Sequence, residues 1–430
     1  MEDSTPSLKE NDDTMSRVIE EAKGYASDLS LRLANWWSAL IPLSIESTPP
    51  AQATQQTATP ESKKIEVLRE SWYSERELKR KSTTAQALEA SQDGEEPMEI
   101  TIWLLGKKYS ITTQDFIKGN QSCLNQLIED FKSQPWFTYR HHFPQLKPAS
   151  FTTDSGWGCM LRTGQCLLAQ ALIRHRLGKD WGLKDIQEPA ARDEYLKMME
   201  LFLDDMSPRC PFSIHRIALL GKQLGNEIGE WFGPNTMAQV LSSLIRDFPE
   251  LGLRVYVNAD GTIYKSSILL PDNSAFKPIL ILLPIRLGVD SFNPVYHAAI
   301  KQYFSFSQII GIAGGKPSSS FFFMGVEDDE IIYLDPHHSR PAINLKSPVE
   351  WAVEDFSSYH CAQPRKLSIG ALDPCMLIGF YCSTQEQFLD LCGKIEDQAV
   401  GGMPVFRTMD TPPVYKDIDF DLESEEGDFP

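Results

Sequence analysis

Among 430 residues there is no Cys-x-x-Cys pair and no regular cysteine spacing, although eight cysteines are present. That absence removes the disulfide framework of a small secreted scaffold and the paired-thiol zinc site. No secretory signal opens the sequence, so reduced thiols and a cytoplasmic location are expected. No histidine and cysteine cluster stands at ligand spacing, so neither a metal site nor a cofactor is expected. Positive charge is short as well: 41 lysines and arginines face 59 aspartates and glutamates, a net charge of −18. This argues against nucleic acid as a partner. The strongest apolar run, from Pro278 to Ile285, stops at Lys277 and Arg286 and holds two prolines. It is too short to span a membrane and reads as a buried strand.

What is present is a glycine-rich segment ending in a cysteine, Asp154-Ser155-Gly156-Trp157-Gly158-Cys159-Met160-Leu161-Arg162. After it, Leu161, Leu167, Leu168, Ala171, Leu172 and Leu177 follow helical spacing, and Gly178 offers a stop. The pattern predicts a helix beginning at Cys159. Unpaired N–H groups and the helix dipole at such an end favour a thiolate, lowering a thiol from about 8.5 to roughly 3.5–7.5. Gly156 and Gly158 would clear space for an incoming peptide. The residues alone leave Cys159 open between a nucleophile and a small buried hydrophobe.

A thiolate needs a base. Residues 331–334 are apolar strand formers, and Glu327-Asp328-Asp329-Glu330 separates them from the apolar stretch 321–326, which predicts a hairpin. Beyond it stand Asp335-Pro336-His337-His338. If the chain stays extended through Pro336, Asp335 and His337 share a face about 6–7 Å apart, and the carboxylate can orient the imidazole. The competing reading is a strand-end turn with solvated histidines. Of the other histidines, His297, opening a helix, is the strongest rival as base.

The chain from residue 98 to 395 reads as α+β. Strands are expected at 100–105 and 108–111, forming a hairpin, with a helix at 123–131. Beyond the Cys159 helix, helices are expected at 192–203, 214–225 and 235–248, the last opened by Pro234. A second hairpin is expected from 253–257 and 262–264 across Asn258-Ala259-Asp260-Gly261, and further strands at 279–285 and 376–382. The helices between about 180 and 250 form an expected insertion subdomain beside a cleft. Residues 1–97 read as a largely flexible extension, because the stretches 49–60 and 82–97 are low in bulky apolar residues. Within it an amphipathic helix near 15–41 is expected, suited to docking on the main domain more than to anionic lipid. Residues 396–430 form an acidic tail.

Five blocks stand in order: Trp136-Phe137-Thr138-Tyr139-Arg140, the run from Phe151 to Arg162, Trp231-Phe232-Gly233-Pro234-Asn235-Thr236, Gly314-Gly315-Lys316-Pro317, and Tyr333-Leu334-Asp335-Pro336-His337. Together they resemble autophagin, the autophagy-related cysteine protease (Atg4) family. The resemblance implies a papain-like cysteine protease fold in which Cys159 is the nucleophile, His337 the base and Asp335 its orienting carboxylate. No glutamine precedes Cys159 to stabilise an oxyanion. The resemblance gives that role to Tyr139, with the amide of Cys159; the residue alone reads more readily as a packed aromatic with a satisfied hydroxyl. Trp231 corresponds to a tryptophan roofing a narrow cleft, and Gly314, Gly315 and Pro317 to a mobile loop over it.

The implied substrate is an Atg8-type ubiquitin-like modifier, free or lipid-conjugated, cut after a carboxy-terminal glycine or released from phosphatidylethanolamine. Contact with membranes would be transient and through the substrate, with recruitment to autophagosomal membranes. In the tail, Tyr415-Lys416-Asp417-Ile418 resembles an Atg8-interacting motif, Tyr415 and Ile418 entering alternate pockets on a sheet edge; the alternative is a solvated acidic tail. Other functions stay open: a non-catalytic binding protein for the modifier, a thiol hydrolase for another ubiquitin-like protein, or an acyl transferase.

Overall fold

The structure, a computed structural model, describes residues 99–112, 122–269, 275–316, 319–401 and 403–413. The expected helix near 15–41, Pro317 and the segment carrying Tyr415 and Ile418 lie outside them. The run predicted as a buried strand is β7 in the ordering below, and its alternation organises the molecule. Leu280 and Leu282 enter one hydrophobic cluster, while Ile279, Ile281 and Leu283 enter another. A strand apolar on both faces must be covered twice, and here helices cover both sides.

In chain order the hairpin β1 (Glu99–Leu104) and β2 (Lys107–Thr112) leads to α1 (Ser122–Lys132), β3 (Arg140–Leu146) and β4 (Phe151–Thr153). Then come α2 (Cys159–Arg176), α3 (Pro189–Glu200), α4 (Ile214–Gln223) and α5 (Pro234–Arg246). β5 (Arg254–Val257), β6 (Thr262–Tyr264), the single turn α6 (Lys265–Ile268), β7 (Ile279–Arg286) and α7 (His297–Tyr303) follow. The chain continues through β8 (Ile309–Lys316), β9 (Ser319–Glu327), β10 (Glu330–Leu334), β11 (Arg340–Pro341), β12 (Arg365–Ser368) and β13 (Cys375–Cys382). It closes with α8 (Gln385–Gly401) and β14 (Arg407–Met409).

Among the described residues, nine strands form one sheet in the order β12-β10-β9-β8-β13-β7-β5, with β1 on β9 and β2 on β1. On one face α2 lies against β8 and β9, backed by α3, α4 and α5. On the other, α7 and α8 supply Ile300, Tyr303, Phe388, Leu391 and Ile395. Tyr195, Met198, Ile217, Met237 and Leu241, from the helices between 180 and 250, share one core cluster with Leu167, Leu168 and Leu172 of α2. No helix among the described residues is long and apolar enough to cross a membrane.

One expected hairpin is different. β5 pairs in parallel with β7, and β6 in parallel with β14, rather than with each other. The turn between them is present, with Gly261 at φ 72° and Asp260 accepting from the N–H of Thr262 at 2.7 Å. What occupies the space of a ladder is the Tyr256 hydroxyl, which donates to Thr262 O and accepts from the N–H of Tyr264, both at 3.1 Å.

Candidate active site

The loop before α2 is fastened from below. The side chains of Asp154, Arg162 and Asp204 are fully buried, and Arg162 Nε meets Asp154 Oδ2 at 2.8 Å while Nη1 meets Asp204 Oδ1 at 2.9 Å. Burial works against the guanidinium charge, but the two carboxylates hold its proton more tightly than usual. Asp154 also accepts from the Arg140 N–H at 2.7 Å, tying the loop to β3. Its own carbonyl accepts from the N–H groups of Trp157 and Gly158 at 3.2 and 2.9 Å. Gly156 is left-handed at φ 91°, and a Cβ on Gly158 would lie 2.4 Å from Asp154 Oδ2. The two glycines, expected to clear space for a peptide, therefore serve the turn and the Asp154 contact.

This fastening sets Cys159 as the first residue of α2, with Gly158 as an N-cap that offers no side-chain acceptor. The helix's leading N–H groups and positive dipole end are thus left near the sulfur. Cys159 is 2% exposed. The Trp231 indole, 43% exposed in the loop before α5, donates its N–H to the sulfur at 3.1 Å. Burial pushes the thiol up, but the His337 ring, the backbone N–H of Ser320 and the Trp231 N–H outweigh it, so the thiol lies below its ordinary range. Cys166, two helical turns further along α2, accepts the Phe137 N–H at 3.4 Å but has no imidazole or indole beside it, so burial prevails and pushes it up to about 12. Helix membership alone does not make a thiolate; the partners at its start do.

His337 stands beyond the end of β10. Its Nδ1 lies 2.7 Å from Asp335 Oδ1, and the same oxygen accepts from the His337 backbone N–H at 3.0 Å. The pair is thus joined by a side-chain turn over Pro336, tighter than the extended alternation expected. With Nδ1 engaged, the far ring nitrogen is left for Cys159, whose sulfur favours the charged ring. Burial disfavours the imidazolium, yet Asp335 and Cys159 raise its pKa to about 9. Burial would also raise Asp335, but His337 and Arg365 hold it below the usual carboxylate range. The two shifts run in opposite senses, the thiol down and the imidazole up, and both favour a thiolate beside an imidazolium. The ring is packed between Tyr139 and Phe321, edge-on with centroids 5.4 Å away in each case.

Tyr139 is 7% exposed. Its hydroxyl faces Cys159, and burial together with the sulfur's negative charge holds its proton more firmly than usual. The Tyr139 backbone is pinned to the same loop as His337: its N–H donates to Pro336 O at 2.9 Å, and its carbonyl accepts from the Arg340 N–H at 3.0 Å.

The other expected positions divide. Gly314 and Gly315, expected in a mobile loop, lie in β8, where Gly315 faces Ser320 across the ladder with β9. A Cβ on Gly315 would fall 1.7 Å from Ser319 O, so these glycines permit close strand approach. His297 packs on Phe292 with ring centroids 4.7 Å apart, and burial lowers its pKa. His175, His215 and His360 are engaged by Tyr381, Pro144 O and Tyr195 respectively.

Sequence reasoning missed three contributors. The Ser320 N–H supports the thiolate, Trp136 Nε1 donates to Asp335 O at 2.7 Å, and Arg365 Nη1 meets Asp335 Oδ2 at 2.6 Å. Arg365 reaches the site because β12 places it opposite Tyr333 of β10, a register that no local pattern announces. Among the described residues no group of three histidine, cysteine or acidic side chains could hold a metal ion.

Residues 124–394 match the family model of the peptidase C54 catalytic domain. The cysteine protease ATG4A of Mus musculus is 35% identical over 325 residues, covering 69% of this chain and 78% of that protein. The cysteine protease ATG4B of Gallus gallus is 34% identical over 350 residues, 73% of this chain and 85% of that protein. A plant relative, the cysteine protease ATG4A of Oryza sativa subsp. indica, is 34% identical over 357 residues, 76% and 74% of the two chains.

Proposed function

The chain belongs to the peptidase C54 family, the autophagy-related cysteine proteases of papain-like fold, and from that premise we propose that it cleaves an Atg8-type ubiquitin-like modifier after a carboxy-terminal glycine. The same chemistry would release that glycine from phosphatidylethanolamine, since both reactions break an amide bond to the same acyl group. The observation that carries the reading is the Cys159 thiol, held below its ordinary range beside a His337 raised to about 9.

In this reading the Cys159 thiolate attacks the glycine carbonyl carbon. Negative charge develops on the carbonyl oxygen, and the Tyr139 hydroxyl with the Cys159 N–H receives it. His337 gives its proton to the leaving amine, then takes one from the water that opens the thioester. Asp335 keeps the imidazole aimed throughout. The Trp231 indole resting on the sulfur favours a slender acyl residue such as glycine. The tail segment carrying Tyr415 and Ile418 would add a second contact with the modifier, and membrane contact would come through the lipid-conjugated substrate.

Incubating the purified chain with a modifier precursor tests this. A product ending in glycine, seen by mass spectrometry and lost in Cys159→Ala, is the expected result. Binding without cleavage would favour a non-catalytic partner, and cleavage of a different ubiquitin-like precursor alone would favour a related hydrolase.

A further inference from the structure

Two histidines flank one carboxylate in this site. Asp335 Oδ1 holds His337, while His338 Nε2 lies 3.9 Å from Oδ2, just outside hydrogen-bond range. Between them stands Arg365. Its Nη1 donates to Asp335 Oδ2 at 2.6 Å and its Nη2 to His338 Nε2 at 3.0 Å. A guanidinium only donates, so His338 Nε2 is the acceptor and carries no proton.

We infer that Arg365 is a positioning residue that directs Asp335 toward His337 and keeps His338 neutral, so that one histidine of the adjacent pair serves Cys159. The inference rests on the reading of Cys159 and His337 given above.

The surroundings agree. Arg365 is anchored on β12 across from Tyr333, and its guanidinium also influences Tyr333 and Cys361. His338 packs edge-on against Trp136 with centroids 5.6 Å apart, and Arg340 lies over the same indole at 4.7 Å. The charged and titratable groups facing His338 are thus Arg365, Asp335, Arg340 and His337; burial first, then the Arg365 charge, lowers its pKa. Without Arg365, Oδ2 is free, and a protonated His338 can close the remaining gap and draw the carboxylate away from His337. A one-ångström misplacement of such a group can cost about a hundredfold in rate.

The test uses the full chain and a modifier precursor. Arg365→Ala is expected to lower kcat by about 10–100-fold with little change in KM, and to raise the pH at which iodoacetamide begins to alkylate Cys159. Arg365→Lys should recover part of kcat, because charge returns without the fork that reaches both partners. Adding His338→Gln to Arg365→Ala should restore several-fold activity by removing the competitor, which a merely structural role for Arg365 does not predict. Wild-type kcat and an unchanged alkylation profile in Arg365→Ala would overturn the inference, as would a double variant no better than the single one. If Arg365→Ala does not fold, Arg365→Gln with and without His338→Gln carries the same comparison. Full cleavage by Cys159→Ala would instead remove the reading of the site itself.

Discussion

The two walls of the site use the same device in different surroundings. On the Cys159 wall, Arg162 grips Asp154, which shapes the loop under the sulfur; on the His337 wall, Arg365 grips Asp335, which holds the imidazole. The first pair has no exposed side-chain surface. In the second, Asp335 is 12% and Arg365 43% exposed. Removing one partner from a dry ion pair strands a charge and costs about 3–5 kcal/mol. Near water the stranded group is solvated, so the loss falls on geometry and rate. One wall is therefore expected to govern stability and the other, in the proposed mechanism, turnover.

Asp335→Asn gives the largest separation. It should lower kcat by on the order of 10⁴-fold, as when a triad carboxylate is neutralised, while the melting temperature hardly moves. A large drop in melting temperature would erase the distinction between the walls. Arg162→Met comes next, destabilising by about 3–5 kcal/mol in urea unfolding because Asp154 and Asp204 are left buried without a counterion; a change near zero would contradict the account of the Cys159 wall. Tyr139→Phe should leave stability almost unchanged and lower kcat by on the order of a hundredfold, the cost of one oxyanion donor. Unaltered turnover would remove Tyr139 from that role.

The smallest effect is in pH. Cys159 is depressed and His337 raised to about 9, so the ion pair exists between the two. Activity is lost as pH falls through the thiol's pKa, because the sulfur takes a proton, and lost again as pH rises through about 9, because His337 gives up the proton that the leaving amine needs. A basic limb near 6.5, the ordinary histidine value, would break the coupling between the walls.

The helical wall was the more legible in sequence. Glycines before Cys159 and apolar residues at helical spacing after it mark both the turn and the helix start, and α2 begins at Cys159. The strand wall was legible in its residues but not in its geometry. Asp335 and His337 stand two apart, yet they meet through a turn in which Oδ1 serves ring and backbone together. Local pattern reports strand propensity and says nothing of partners. That is why the segments around Asn258-Ala259-Asp260-Gly261 suggested a hairpin while β5 and β6 pair elsewhere. The resemblance put Gly314 and Gly315 in a loop, and glycine itself is compatible with both a bend and a close strand approach; the distance from Gly315 to Ser319 decides for the latter. Ser320 and Arg365 carried no local signal, because the sheet's register alone brings them to the sulfur and the carboxylate.

The charge state of His337 tests the central claim most directly. Nitrogen-15 NMR of the imidazole in the resting protein should show both ring nitrogens protonated at pH 7, with titration near 9 that moves down in Cys159→Ala as the thiolate is removed. A neutral ring at pH 7, titrating near the unperturbed value and indifferent to Cys159→Ala, would contradict the ion pair on which the account rests.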